Sequence, residues 1–171
     1  MRLLLLADTH WPRRCRDLPQ RVWDEVDAAD LVVHAGDWVE EGLLDRLQDT
    51  PPQDAAGDVE VPAWRHALIN DGPELRARLP ETARATIEGV RLAVTHETGA
   101  ATGRGTRADR VHPATDLLVF GHSHIPWDTT TPGGMRLLNP GSPTDRRRQP
   151  TGTFLVVELA RGTVTATLHT V

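Results

Sequence analysis

The chain has 171 residues and a net charge of −5, from 19 basic and 24 acidic side chains. With 39% hydrophobic and 25% charged residues it has the balance of a soluble globular protein, and its bulk charge points to no nucleic-acid or membrane partner. The length fits one domain, 1–171, large enough to bury a sizeable core. All 19 basic residues are arginine, and the single cysteine, Cys15, excludes an internal disulfide. Cys15 lies in RRCRD, where it is either an inert surface thiol or one activated by its arginine neighbours.

In chain order, RLLLLA (2–7) reads as a buried strand. Asp8 cuts the apolar run of MRLLLLADTH too short for a signal peptide, and no stretch reaches the length of a membrane helix, so a cytoplasmic location is expected. Leu18, Val22 and Val26 recur every four residues and predict a helix within 17–29. LVVHAG (31–36) is a second strand and EGLLDRLQ (41–48) a short helix. This β-α-β-α order predicts parallel pairing. DTPPQDAAGD (49–58) is a loop, VPAWRHALI (61–69) a third strand, and 73–79 opens a helix on Pro73. Residues 83–88 and 90–96 predict a hairpin around Gly89. A loop over 97–110 holds one helical turn, and DLLVFG (116–121) is a buried strand. Hairpins at 127–131/135–139 and within 152–170 complete a two-layer β-sandwich flanked by helices, an α/β fold.

The residues with chemistry gather where strands stop. Asp8 and His10 follow the first strand, Asp37 the second, His96 the hairpin, and His122 and His124 the strand 116–121. Ligands collect at the carboxyl ends of strands in α/β sheets. The i, i+2 spacing in Asp8/His10 and His122/His124 lets each pair face one way in extended chain. Gly36 and Gly121 precede these residues, where a tight turn favours a side chain without Cβ. Mixed imidazole and carboxylate donors suit divalent transition metals, and this many of them suggests two ions. His34, His112 and His169 are read as polar residues without such a role.

The motifs ADTH, HAGD, TH and FGHSH, in that order, with the later NPGS segment at 139–142, resemble the calcineurin-like metallophosphoesterases. Their length is similar to the small bacterial and archaeal phosphodiesterase branch. The resemblance implies one ion held by Asp8, His10, Asp37 and His124, and another by Asp37, Asn70, His96 and His122, with Asp37 bridging. It implies two divalent cations, manganese first, with iron, zinc, nickel or cobalt as alternatives. His10 and Asp37 are the implied catalytic residues: a hydroxide between the ions attacks phosphorus while His10 lies near the leaving oxygen.

The third motif departs from the family pattern. HALINDG lacks the usual glycine before Asn70, which leaves Asn70 or Asp71 to complete the second site. It also lacks the usual leaving-group histidine, since His66 lies four residues early, so esters with good leaving groups are expected. Glu97, after His96, is either a hydrogen-bond acceptor for a metal-binding histidine or a solvated loop acid. Trp11 and Trp38 beside the motifs either stack a base or pack at the rim, and Trp23 is expected to join the core. Arg146 and Arg147, in a basic run, either stand solvated or hold an outer phosphate. The expected partner is a small, nucleotide-like phosphoester, with self-association left open. A retromer subunit of the same superfamily serves as a protein scaffold, so a non-catalytic binding protein is the alternative function.

Overall fold

The computed structural model describes residues 1–48, 66–67 and 79–171. The expected loop at 49–58, the helix expected to open at Pro73, Asn70 and Asp71 lie outside the described residues, as does most of the third strand. In chain order the strands are β1 (Arg2–Leu6), β2 (Leu31–Ala35), β3 (His66–Ala67), β4 (Thr82–Ile87) and β5 (Val90–Thr95). They continue with β6 (Leu117–Val119), β7 (Trp127–Thr130), β8 (Arg136–Asn139), β9 (Thr153–Ala160) and β10 (Thr163–Thr170). Among the described residues the helices are α1 (Gln20–Ala28), α2 (Gly42–Gln48) and α3 (Arg104–Val111).

Two five-stranded sheets form, with orders β10-β9-β1-β2-β3 and β4-β5-β6-β8-β7. In the first, β1, β2 and β3 run parallel, with Leu4 opposite Val32 and His34 opposite His66. In the second, β5, β6 and β8 run parallel. Both sheets therefore end a parallel set of strands, and those ends carry the site.

The sequence RLLLL looks uniformly apolar because both of its faces are covered. Leu3, Leu5 and Ala7 point between the sheets, where they meet Val94, Leu117, Val119 and Leu138 of the opposite layer. Leu4 and Leu6 point the other way, onto Val22 and Val26 of α1 and Leu43, Leu44 and Leu47 of α2. Leu118, Phe120 and Leu137 on the outer face of the second sheet pack against Ala108 of α3. The layers thus run helix, sheet, sheet, helix, as expected for an α/β sandwich. No helix among the described residues is long and apolar enough to cross a membrane.

Two local expectations are corrected. The single turn expected within 97–110 is an eight-residue helix, Arg104–Val111. Its buried anchors are Ala108 and the side chain of Arg104, whose guanidinium stacks 4.9 Å from Phe120 and 4.6 Å from Trp127. An arginine here performs the packing of an apolar residue. Trp23 belongs to the edge of the core rather than its interior: it is half-buried, capped by Arg46 at 4.2 Å, and donates to Asp17 Oδ1 at 3.0 Å.

Candidate metal centre

Four strand ends meet at one rim. Main-chain hydrogen bonds set their relative positions: Asp8 N–H donates to Gly36 O at 2.9 Å and His10 N–H to Asp37 O at 2.9 Å. Gly121 N–H donates to His96 O at 3.0 Å. The two sheets are tied across the rim by His122 N–H, which donates to Asp8 Oδ1 at 2.9 Å.

The rim is built at a conformational cost. Asp8, His10, Asp37, His122 and His124 all have left-handed backbone, with φ between 48° and 68°. They are five of the ten non-glycine residues with positive φ among the described residues. Such conformations cost roughly 1–3 kcal/mol each and persist where surrounding structure over-determines them. The two glycines differ in purpose. Gly36 has φ +93°, and a Cβ there would sit 2.6 Å from His96 Nδ1. At Gly121 close approach is what excludes a side chain: a Cβ would meet Ala35 O at 2.9 Å and Asp8 Oδ2 at 3.1 Å.

Asp8, His10, Asp37 and His124 each present one donor atom, and the four atoms lie within 4.8 Å of one another. His10 Nε2 is 3.2 Å from His124 Nε2 and 3.4 Å from Asp37 Oδ2. His124 Nε2 is 3.6 Å from Asp8 Oδ1. Metal bonds of about 2.0–2.2 Å place neighbouring donors on one ion roughly 3.0–3.5 Å apart, so these spacings match the edges of a coordination shell.

The ring orientations agree. His124 Nδ1 donates to Asp145 O, and His96 Nδ1 donates to Ala35 O at 2.7 Å. Each bond commits Nδ1 as an N–H and turns Nε2 toward the carboxylates, the arrangement by which proteins orient metal-binding histidines. His96 Nε2 lies 3.5 Å from Asp37 Oδ1 and 3.9 Å from Asp8 Oδ1, yet makes no hydrogen bond. Asp8 Oδ2 is likewise buried without a partner. Buried polar atoms left unpaired are costly, and a cation between them removes the cost. The donor set therefore fits a divalent ion. His96, Glu97 and His122 form a second, more open group, with Glu97 Oε1 3.5 Å from His122 Nδ1.

Protonation follows from the same crowding. Burial pushes the Asp8 carboxyl up to about 7, against the pull of His96. Burial also opposes a charged His96 ring, but Asp37, the Ala35 carbonyl and Asp8 outweigh it and raise its pKa to about 9. Burial works against the Asp37 carboxylate too, and His96, His10 and His122 outweigh it to keep its pKa low. Burial lowers His10 and His124. The cluster thus gathers positive charge, as protons or as a cation.

The NPGS segment is the frame. Asn139 Nδ2 donates to Gly121 O at 2.8 Å, and Ser142 Oγ donates to Asp8 O at 2.7 Å while accepting Asp145 N–H at 2.8 Å. Thr144 Oγ1 donates to Thr9 O at 2.7 Å. These positioning residues were visible in the sequence only as part of the resemblance. His34, also buried, accepts Gly36 N–H on Nδ1 at 3.2 Å and so donates from Nε2 to Thr9 Oγ1 at 3.1 Å, which makes it a neutral strut.

The expected substrate contacts separate. Trp38 is fully buried and stacks on His34 with centroids 3.6 Å apart, so it cannot stack a nucleobase. Its position next to Asp37 in sequence does not bring it to the rim. Trp11 is half-buried against the helix layer and donates to Arg16 O at 3.1 Å, which gives its indole a packing role. Arg146 is tied to Gln149 O at 2.6 Å. Arg147 stands exposed, and its charge acts on Asp8, His10 and His124. Cys15 is half-buried with its thiol pKa raised by burial, contrary to an activated thiol.

A sandwich whose parallel strand ends carry a buried carboxylate and imidazole cluster defines a metal-binding phosphoesterase fold. The chain belongs to the calcineurin-like phosphoesterase superfamily, whose domain matches residues 1–162. It is 32% identical over 145 residues to a probable metallophosphoesterase of Methanothermobacter thermautotrophicus, covering 82% of this chain and 76% of the relative. Among solved structures, Vps29 complexed with zinc from Entamoeba histolytica matches with a TM-score of 0.71 at 20% identity, over 99% of both chains. A novel archaeal phosphodiesterase matches with a TM-score of 0.68 at 13% identity, over 99% of this chain and all of the other. At these identities the two structures share the fold.

Proposed function

We propose that the protein hydrolyses small phosphodiesters at a centre of two divalent cations, manganese first among them. Asp8, His10, Asp37 and His124 would hold the inner ion. Asp37, His96 and His122, with Asn70 or Asp71, would hold the outer one. Bound together, such ions lower the pKa of water and withdraw charge from phosphoryl oxygens. Asp37 reaches both groups, with Oδ2 toward His10 and Oδ1 toward His96. His10, as a ligand of the inner ion, would lie near the departing oxygen, which would leave without a dedicated general acid. Arg147 would meet an outer phosphate oxygen, since its charge already acts on the site.

The observation that carries this reading is the buried His96 Nε2, unpaired and aimed between Asp37 and Asp8. The fold alone does not decide between a catalyst and a binding protein. The nearly complete donor set at the strand ends supports the catalyst, because a scaffold has no need to hold five strained residues around unpaired buried atoms. The test is hydrolysis of bis(p-nitrophenyl) phosphate by protein stripped with chelator and reloaded with Mn²⁺. Turnover that appears with the metal and vanishes without it is expected. No turnover with Mn²⁺, Fe²⁺, Zn²⁺, Ni²⁺ or Co²⁺ would count against an enzyme.

A further inference from the structure

We propose that Glu97 is a direct ligand of the outer cation, so that this centre carries three carboxylates where the family resemblance implies two. The inference rests on the two-ion reading above.

His96 is the fixed point. Its ring is fully buried, Nδ1 is committed to Ala35 O, and Nε2 has no hydrogen-bond partner. From there the donors divide into two groups. Asp37 Oδ1 lies 3.5 Å away in the inner one. Glu97 and His122 form a second group with His96, the three residues offering donor atoms within 4.8 Å of one another.

Consecutive residues of a strand point to opposite faces. His96 and Glu97 share one target because β5 has already ended at Thr95. His122 is brought to them by its left-handed backbone, φ 68°, clamped through its N–H on Asp8 Oδ1. The distance from Glu97 Oε1 to His122 Nδ1 is 3.5 Å. That is long for a hydrogen bond between a carboxylate and an imidazole, and it suits two donors sharing one ion. The side chains of Glu97 and His122 are 46% and 57% exposed, so an ion can reach this group directly from solvent.

A carboxylate adds charge that a neutral amide does not, so it tightens the outer ion and makes its retention depend on Glu97. Titration of metal-free protein with Mn²⁺, by calorimetry together with the coupled-Mn signal in electron paramagnetic resonance, tests this. Wild type is expected to bind two ions. Glu97→Gln and Glu97→Ala are expected to keep the inner ion and to weaken the outer one by about tenfold or more. A crystal structure of the Mn-loaded protein should place a Glu97 oxygen about 2.0–2.2 Å from the outer ion. Unchanged outer-ion affinity in both variants, or a Glu97 carboxylate bonded only to the His122 ring, overturns the assignment and leaves the two-ion centre standing. A wild type that binds one ion overturns that centre itself, and Glu97 with it.

Discussion

The two donor groups at the rim are built differently. Asp8 and His124 of the inner group are essentially inaccessible to solvent, and its His10 and Asp37 are only partly open. Its backbone is held from both sheets and from the NPGS segment. In the outer group only His96 is buried; the side chains of His122 and Glu97 are 57% and 46% exposed. The inner group is thus a preformed cage, paid for by packing elsewhere in the sandwich. The outer group has one buried wall and two solvent-exposed side chains. A centre of this kind should hold its inner ion tightly and exchange its outer ion readily, with substrate arriving on the exchangeable side.

Asp37→Asn should break the contrast most severely, because Asp37 faces the two groups with its two different oxygens, Oδ2 toward His10 and Oδ1 toward His96. Loss of the shared charge should reduce Mn²⁺ binding below one ion per chain and lower diesterase activity by about 10³-fold or more. His122→Ala should instead remove only the outer ion. Elemental analysis of dialysed protein separates the outcomes; two retained ions in Asp37→Asn would remove the bridge from the argument.

Gly36→Ala should have the next largest effect, through structure rather than charge. The new Cβ would press on His96 Nδ1 at 2.6 Å and sit on backbone at φ +93°. Gly162, in the turn between β9 and β10, also has positive φ, +79°, but no atom lies within 4 Å of a Cβ built there. Urea unfolding should therefore show a loss of about 2–4 kcal/mol for Gly36→Ala and about 1 kcal/mol for Gly162→Ala. Equal losses would mean that backbone conformation, and not contact with His96, is what Gly36 supplies.

Much of this was legible in the sequence, and the gaps have physical causes. Strand ends and parallel order follow from apolar runs that stop at Asp or His, whereas the grouping of Asp8, His10, Asp37 and His124 came from the family resemblance. Three things did not follow. The left-handed backbone of Asp8, Asp37 and His124 is imposed by tertiary hydrogen bonds, which leave no composition signal. Helix α3 carries no apolar stripe, because Arg104 supplies the packing that a leucine would ordinarily announce. Trp38 adjoins a rim residue in sequence but turns back onto His34 and the helix layer, and adjacency alone cannot tell these directions apart.

The inner cage should also reveal itself through pH. In the absence of metal, Asp8 is raised from 3.8 to about 7, so its contribution to stability is complete below about pH 4 and is lost as pH rises through 7. His96 is raised from 6.5 to about 9, so its contribution is complete below about pH 6.5 and is lost as pH rises through 9. Metal-free protein should weaken across this interval. A bound cation takes the place of the protons, so the gain in melting temperature on adding Mn²⁺ should grow between pH 6 and pH 8.5, by about 5 °C. A gain independent of pH would show that Asp8 and His96 are not the groups the ion displaces protons from.

The smallest expected effect lies outside both groups, in the basic run. Arg146 spends its guanidinium on Gln149 O, whereas Arg147, at φ 46°, stands exposed with its charge felt by Asp8, His10 and His124. A surface arginine that meets only the outer oxygens of a bound diester helps ground state and transition state alike. Arg147→Ala should then raise KM by about three- to tenfold and leave kcat nearly unchanged, while Arg146→Ala should change neither. Inorganic phosphate, as a competitive inhibitor, should weaken by the same factor in Arg147→Ala alone. A fall in kcat at constant KM would place Arg147 on the transition state instead, and equal effects of the two substitutions would mean that the run acts as diffuse charge rather than through one positioned guanidinium.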